Sequence, residues 1–255
     1  MSNPGFFVVD AMVGLLRLPA GAQRPTVADW HAEMQRLHIT RAVVRHRFCI
    51  DIGPWYGNDL LMEELAGDPA LVPAWALTPD GRPPDFDIAA AVRAMLARGV
   101  KAAWLEPKSH MFSAMPWCAE DLYAALQTAR VPLLLRYAQV TPDEIDAVCS
   151  AFPDLRLVLL RIPRIGRNRM LYPLLQRHPQ LRCCFDPGFS VFGGFADLCR
   201  RFGEHRWVLG TTYPDAEGGA GITGLMYAGL PDSAVAAIAR GNLEQLLAEV
   251  RTDVL

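Results

Sequence analysis

Residues 131–161 read VPLLLRYAQVTPDEIDAVCSAFPDLRLVLLR, and this stretch decides the fold. Its two ends, 131–136 and 155–161, are short apolar runs of the length a buried strand needs. Between them, 142–151 carries helical periodicity, with Thr141 placed to cap a helix and Pro142 at its first helical position. Pro153 stops that helix before the second run begins. Strand, helix and strand within about thirty residues form a βα unit, in which the helix carries the chain back so that the strands lie parallel.

Worked outward in both directions, the unit repeats. Apolar runs at 6–12, 42–48, 71–77, 100–105, 131–136, 155–161, 181–185 and 206–211 are read as eight strands. Periodic segments at 26–37, 88–97, 120–129, 142–151, 170–177 and 194–202 are read as crossover helices, with Gly99 as a stop signal. A further helix at 58–64 leaves an aromatic loop, Pro54-Trp55-Tyr56, and 233–250 gives one or two closing helices around Arg240-Gly241-Asn242. Eight βα units in 255 residues predict one α/β domain over 1–255, a single (β/α)8 TIM barrel. The alternative is an open doubly wound sheet. Against it, neither GxGxxG nor GxxxxGK[ST] follows the first strand.

Composition narrows the function classes. A formal charge of -2 with no Lys/Arg-rich run gives no footprint for nucleic acid or for an anionic membrane surface. No apolar stretch reaches the roughly 20 residues that span a bilayer, and residues 1–10 show no secretory signal, so a soluble, cytoplasmic protein is expected. The six cysteines are scattered without CxxC spacing and read as reduced, buried thiols; of the adjacent pair Cys183 and Cys184, one faces the barrel. The six histidines form no HxH or HExxH, and His46 alone lies near a strand end. No GxSxG elbow or other nucleophile arrangement is present.

With the strands placed, the chain resembles the amidohydrolase-related family, metal-dependent hydrolases and decarboxylases of TIM-barrel fold, over nearly its whole length. The resemblance is carried by Val8-Val9-Asp10-Ala11, Gly57-Asn58-Asp59, 68–73 (DPALVP), 152–159 (FPDLRLVL) and 171–175 (LYPLL). Most specific are 202–214 (FGEHRWVLGTTYP) and 238–243 (IARGNL). It implies Asp-x-His-x-His on the first strand, His at the ends of the fifth and sixth, and Asp at the end of the eighth. This chain has Asp10-Ala11-Met12-Val13-Gly14, Arg136, Arg161 and Thr212 at those places. A catalytic zinc needs about three imidazole or carboxylate ligands, so the expectation is a family member without the metal centre and without a cofactor.

The strand ends carry other polar groups: Arg45, His46 and Arg47 on the second, Trp104 and Glu106 on the fourth, Arg136 and Tyr137 on the fifth. Arg161, Asp186 and Thr211-Thr212 complete the set. The family register points Asp10, Met12, Arg136, Arg161 and Thr212 inward. Two readings stand for the arginines. They pair with Asp10, Glu106 or Asp186 and fill the volume of a metal site, or they hold the oxyanion of a small carboxylate or phosphate. Ligand-binding candidates are Arg136, Arg161, Arg45, Arg47, Trp104 and Thr212, with Trp55 and Tyr56 as further pocket walls. Candidates for proton transfer are Asp10, Glu106 and Asp186. The expected function is binding of a small anionic molecule with little or no hydrolase activity. Its alternative is a metal-independent hydrolase, lactonase or decarboxylase. A third expectation is a homodimer, or a structural subunit that partners a catalytic paralogue.

Overall fold

The computed structural model describes residues 5–14, 25–163, 169–189 and 194–254. Eight parallel strands close into a barrel in chain order: β1 (Phe6–Val13), β2 (Ile39–His46), β3 (Leu71–Ala76), β4 (Ala102–Leu105), β5 (Leu133–Arg136), β6 (Leu157–Leu160), β7 (Arg182–Phe185) and β8 (Trp207–Tyr213). β1 pairs with both β2 and β8, which leaves no sheet edge and rules out the open doubly wound alternative.

Helices follow the strands: α1 (Val27–Leu37), α2 (Phe48–Asp51), α3 (Pro54–Glu64), α4 (Ile88–Ala97), α5 (Pro116–Thr128), α6 (Pro142–Ala151), α7 (Leu171–Arg177), α8 (Phe195–Phe202), α9 (Gly219–Met226), α10 (Asp232–Ala236) and α11 (Asn242–Ala248), the last two joined by a π-helical turn, Ala237–Gly241. None of them is long and apolar enough to cross a membrane.

Capping sets the helix starts. Thr26 accepts the Asp29 N–H at 3.1 Å while the Asp29 carboxylate accepts the Thr26 N–H at 2.9 Å, so Thr26 lies just outside α1. Thr141 and Glu144 make the same reciprocal pair at the start of α6. α3 begins earlier than the sequence reading, because Pro54 sits in its first turn and draws Trp55 and Tyr56 into the helix. α5 likewise begins at Pro116 and is kinked at Ala119. β2 spans Ile39–His46 rather than 42–48, since Phe48 already opens α2.

Alternating strand residues divide the core in two. One set packs between strands and helices, with Trp30 and Met34 of α1 one turn apart on the buried face. Each such large side chain contributes about 1.5–3 kcal/mol on burial. The other set fills the barrel, including Phe7, Val9, Met12, Val43, Trp104 and Leu134. Cys184 belongs to this interior and Cys183 to the outer layer, as strand alternation requires. Leu243, Leu246 and Leu247 of α11 pack on the interior set and close the barrel where the strands begin. Asn242 holds α11 there, donating to the Glu204 and Trp207 carbonyls at 2.8 Å each. The opposite end, where strands finish, is left for polar groups.

Candidate functional site

Toward that C-terminal end, three residues in a strand or directly after one, none of them glycine, have left-handed backbone: Asp10 (φ 66°), Arg161 (φ 52°) and Thr212 (φ 58°). This conformation costs roughly 1–3 kcal/mol for each such residue and persists only where surroundings enforce it. Asp10 lies within β1, Arg161 directly follows β6, and Thr212 is one residue before the end of β8. At β1 the twist shows as a break in register, with Val9 opposite Gly210 but Ala11 opposite Tyr213.

The twisted backbone gathers a buried ion network. Asp10 and Glu106 are fully buried, and Arg45 is 1% exposed. Arg45 donates to Asp10 through Nη2, and its Nη1 lies 3.6 Å from Glu106. Arg136 grips Glu106 with both Nε (2.5 Å) and Nη2. Arg161 grips Asp10 with Nε at 2.6 Å and Nη2 at 3.3 Å. Each buried carboxylate thus serves two guanidiniums, and the fork geometry that suits arginine to carboxylates is used twice. Burial opposes the charge on Arg161, but Asp10 and Asp215 raise its pKa above the usual arginine range. Arg45 goes the other way: desolvation outweighs Asp10 and pushes its pKa down.

Arg136 and Arg161 are 19% and 17% exposed, so each has one side on a buried carboxylate and another toward the mouth. Nη1 of Arg136 has no partner among the described residues. Nη1 of Arg161 donates to Asp215, whose side chain is 55% exposed. Asp215, on the turn after β8, is not among the candidates the sequence offers.

Asp186 sits beside this network without joining its side-chain pairs. Its carboxylate accepts the Arg161 N–H at 3.0 Å and the Gly188 N–H at 2.9 Å. Burial, then the nearby charge of Asp10, pushes its pKa up to about 6. Thr212 is nearly buried, and its hydroxyl has no hydrogen-bond partner among the described residues.

Three expected ligand contacts are placed differently. Trp104 lies inside the barrel, donates to the Ala74 carbonyl at 3.1 Å, and puts its ring 4.8 Å from the Arg45 guanidinium, so it supports Arg45 from below. Arg45 itself is covered on all sides. Arg47 turns out of the network to Asp51 of α2, at 3.0 Å and 3.1 Å, because β2 has ended by His46. Trp55 packs on the outer layer and Tyr56 is exposed. Among the described residues, no three His, Cys, Asp or Glu side chains gather as a metal-binding group.

Known structures share the architecture. The 2,6-dihydroxybenzoate decarboxylase from Rhizobium superposes with a TM-score of 0.74 at 14% identity, over 96% of this chain and 98% of that one. A TIM-barrel protein of unassigned function from Bordetella bronchiseptica gives 0.70 at 18% identity, over 95% and 99%. A probable 2-pyrone-4,6-dicarboxylic acid hydrolase from Acinetobacter baumannii, with citric acid bound, gives 0.70 at 10% identity, over 96% and 99%. No curated protein matches the sequence. Identities this low establish the barrel alone, but the model of one family, described as amidohydrolase, matches residues 5–248. The closed barrel, the order of its segments and that match over almost all of its length make this chain a member of the amidohydrolase family.

Proposed function

We propose that this barrel binds a small carboxylate at its mouth through Arg161 and Arg136, without the divalent metal of a hydrolytic centre. The observation that carries the reading is the pairing of Arg161 with Asp215, a half-exposed carboxylate that an incoming carboxylate can replace. Arg136 offers alongside its Nη1, which has no partner among the described residues. The residues present do not suit a dication. The oxygens of Asp10 and Glu106 face Arg45, Arg136 and Arg161, and three guanidiniums in one cavity repel added positive charge.

The named substrates of similar folds, 2,6-dihydroxybenzoate and a pyrone dicarboxylate, supply probes of suitable chemistry. Calorimetry with 2,6-dihydroxybenzoate and citrate is expected to show binding that falls by at least about tenfold in Arg161→Met, one charge-assisted hydrogen bond being worth that much. Elemental analysis of the same protein is expected to show metal far below one ion per chain. Stoichiometric, tightly held zinc or manganese, or binding indifferent to Arg161→Met, sinks the reading.

Asp186 favours a second reading, a metal-independent hydrolase, lactonase or decarboxylase. A carboxyl that titrates near 6 can donate and accept protons at neutral pH. Product formed from a lactone or an aromatic acid, lost in Asp186→Asn and retained after chelation, selects it over simple binding.

A further inference from the structure

A cavity of about 400 Å³ lies outside the barrel interior, between the end of β1, the start of α1, the turn after β2, and α3. Its volume is within the range of about 300–1,000 Å³ common for small-molecule pockets. Val27, Phe48 and Leu60 give it apolar walls. Three polar side chains line it, Thr26, whose hydroxyl is engaged in capping α1, His46 and Glu64, and none of its described lining residues is cationic.

His46 is completely buried. Its Nδ1 accepts the Phe48 N–H at 3.1 Å, which assigns the proton of the neutral ring to Nε2. Burial pushes the His46 pKa down and keeps the ring in that neutral form. Nε2 then has no hydrogen-bond partner among the described residues, and the nearest carboxylate oxygen, of Glu64, stands 3.5 Å away. A buried N–H left in this way costs about 1–3 kcal/mol, so its persistence calls for a partner. Gly14 makes the arrangement sterically feasible: a Cβ there would stand 2.5 Å from the His46 ring carbon and 2.7 Å from Nε2. Gly14 is also a position where the family pattern has histidine, so this departure from the pattern is what seats the His46 ring.

We propose that the cavity is a second binding site, separate from the arginine network, for an uncharged and largely apolar molecule bearing one hydroxyl, of the phenol class. The hydroxyl oxygen accepts from His46 Nε2 and its proton is donated to the Glu64 carboxylate. The apolar body lies against Val27, Phe48 and Leu60. Anions are disfavoured by Glu64 and find no cation among the described lining residues to offset it.

The test titrates the full chain, labelled with ¹⁵N-histidine, with 4-methylphenol, 4-methylbenzoate and toluene at millimolar concentration, and follows the His46 imidazole resonances. 4-Methylphenol is expected to shift Nε2 and its proton. Its affinity is expected to drop about tenfold in Glu64→Leu, where the charged acceptor is gone, and binding is expected to vanish in Leu60→Trp, where the cavity is filled. Because Glu64 is on the surface, its variant remains informative if Leu60→Trp does not fold. The proposal is overturned if 4-methylphenol leaves His46 unmoved, if 4-methylbenzoate or toluene binds as well, or if Glu64→Leu binds like the parent.

Discussion

The barrel buries arginine at both ends, and the two ends do so differently. Where the strands begin, Arg206 is nearly inaccessible and donates to three backbone carbonyls: Leu181 at 2.8 Å, Leu175 at 2.6 Å and His178 at 2.5 Å. Among the described residues no carboxylate takes part, and burial pushes its pKa down. Where the strands finish, Arg45, Arg136 and Arg161 rest on Asp10, Glu106 and Asp215. Carbonyl dipoles fixed in the main chain cannot be exchanged, so Arg206 is committed to holding α7, β7 and β8 together. A side-chain carboxylate at the surface can be exchanged for a ligand. The first arrangement is structural, and the second is the one on which the proposed carboxylate site rests, in line with the division between the two faces of such barrels.

Asp10→Asn is expected to break this comparison most strongly. It removes the counter-ion shared by Arg45 and Arg161, and leaving buried charge uncompensated costs about 3–5 kcal/mol. Urea unfolding reads the loss; a cost below about 1 kcal/mol would mean the network is solvated rather than buried. Arg206→Met follows, with about 1–3 kcal/mol for the abandoned carbonyls and unchanged affinity for 2,6-dihydroxybenzoate. If it altered that affinity as much as Arg161→Met does, the two ends would not be functionally separate.

The third effect depends on pH. Asp186 has its folded pKa raised to about 6 from an ordinary 3.8, so the fold disfavours its ionised form. The cost is absent below the ordinary value, grows as pH rises, and is complete above the folded value. Asparagine carries no such cost. From pH 5 to pH 8 the stability of Asp186→Asn is therefore expected to improve relative to the parent by about 1–2 kcal/mol. The missing acceptor for one of the two backbone N–H groups adds a constant offset, and only the slope against pH is diagnostic. Parallel curves for the two proteins would remove Asp186 from the buried, charge-coupled site.

The repeat of strands was legible because period and length depend on local composition, and the eight runs lie where the barrel has its strands. Their ends were less so: β6 is Leu157–Leu160, since Arg161 leaves the strand with positive φ. That turn could not be read, because arginine and threonine give no local sign of left-handed backbone as glycine would, and aspartate only a weak one. The pairing of Arg136 with Glu106 and of Arg161 with Asp10 was among the stated options, as charge balance in a closed barrel leaves few. Asp215 was missed for the opposite reason. An exposed acid in a turn looks like any solvated side chain until the fold brings it to Arg161.

The smallest expected change in stability carries the sharpest distinction between the two ends. Asp215→Asn removes one half-exposed ion pair, and such pairs contribute about 0–1 kcal/mol. Arg161 keeps Asp10, so the network beneath should remain intact. The vacated Nη1, however, no longer has a resident carboxylate to lose when a ligand carboxylate arrives. Affinity for 2,6-dihydroxybenzoate is therefore expected to rise several-fold while the unfolding midpoint barely moves, and the gain should shrink as salt is added. Lower affinity would instead make Asp215 part of the receptor, holding Arg161 in its binding orientation. Unchanged affinity would put the ligand elsewhere and leave the mouth arginines as structural as Arg206.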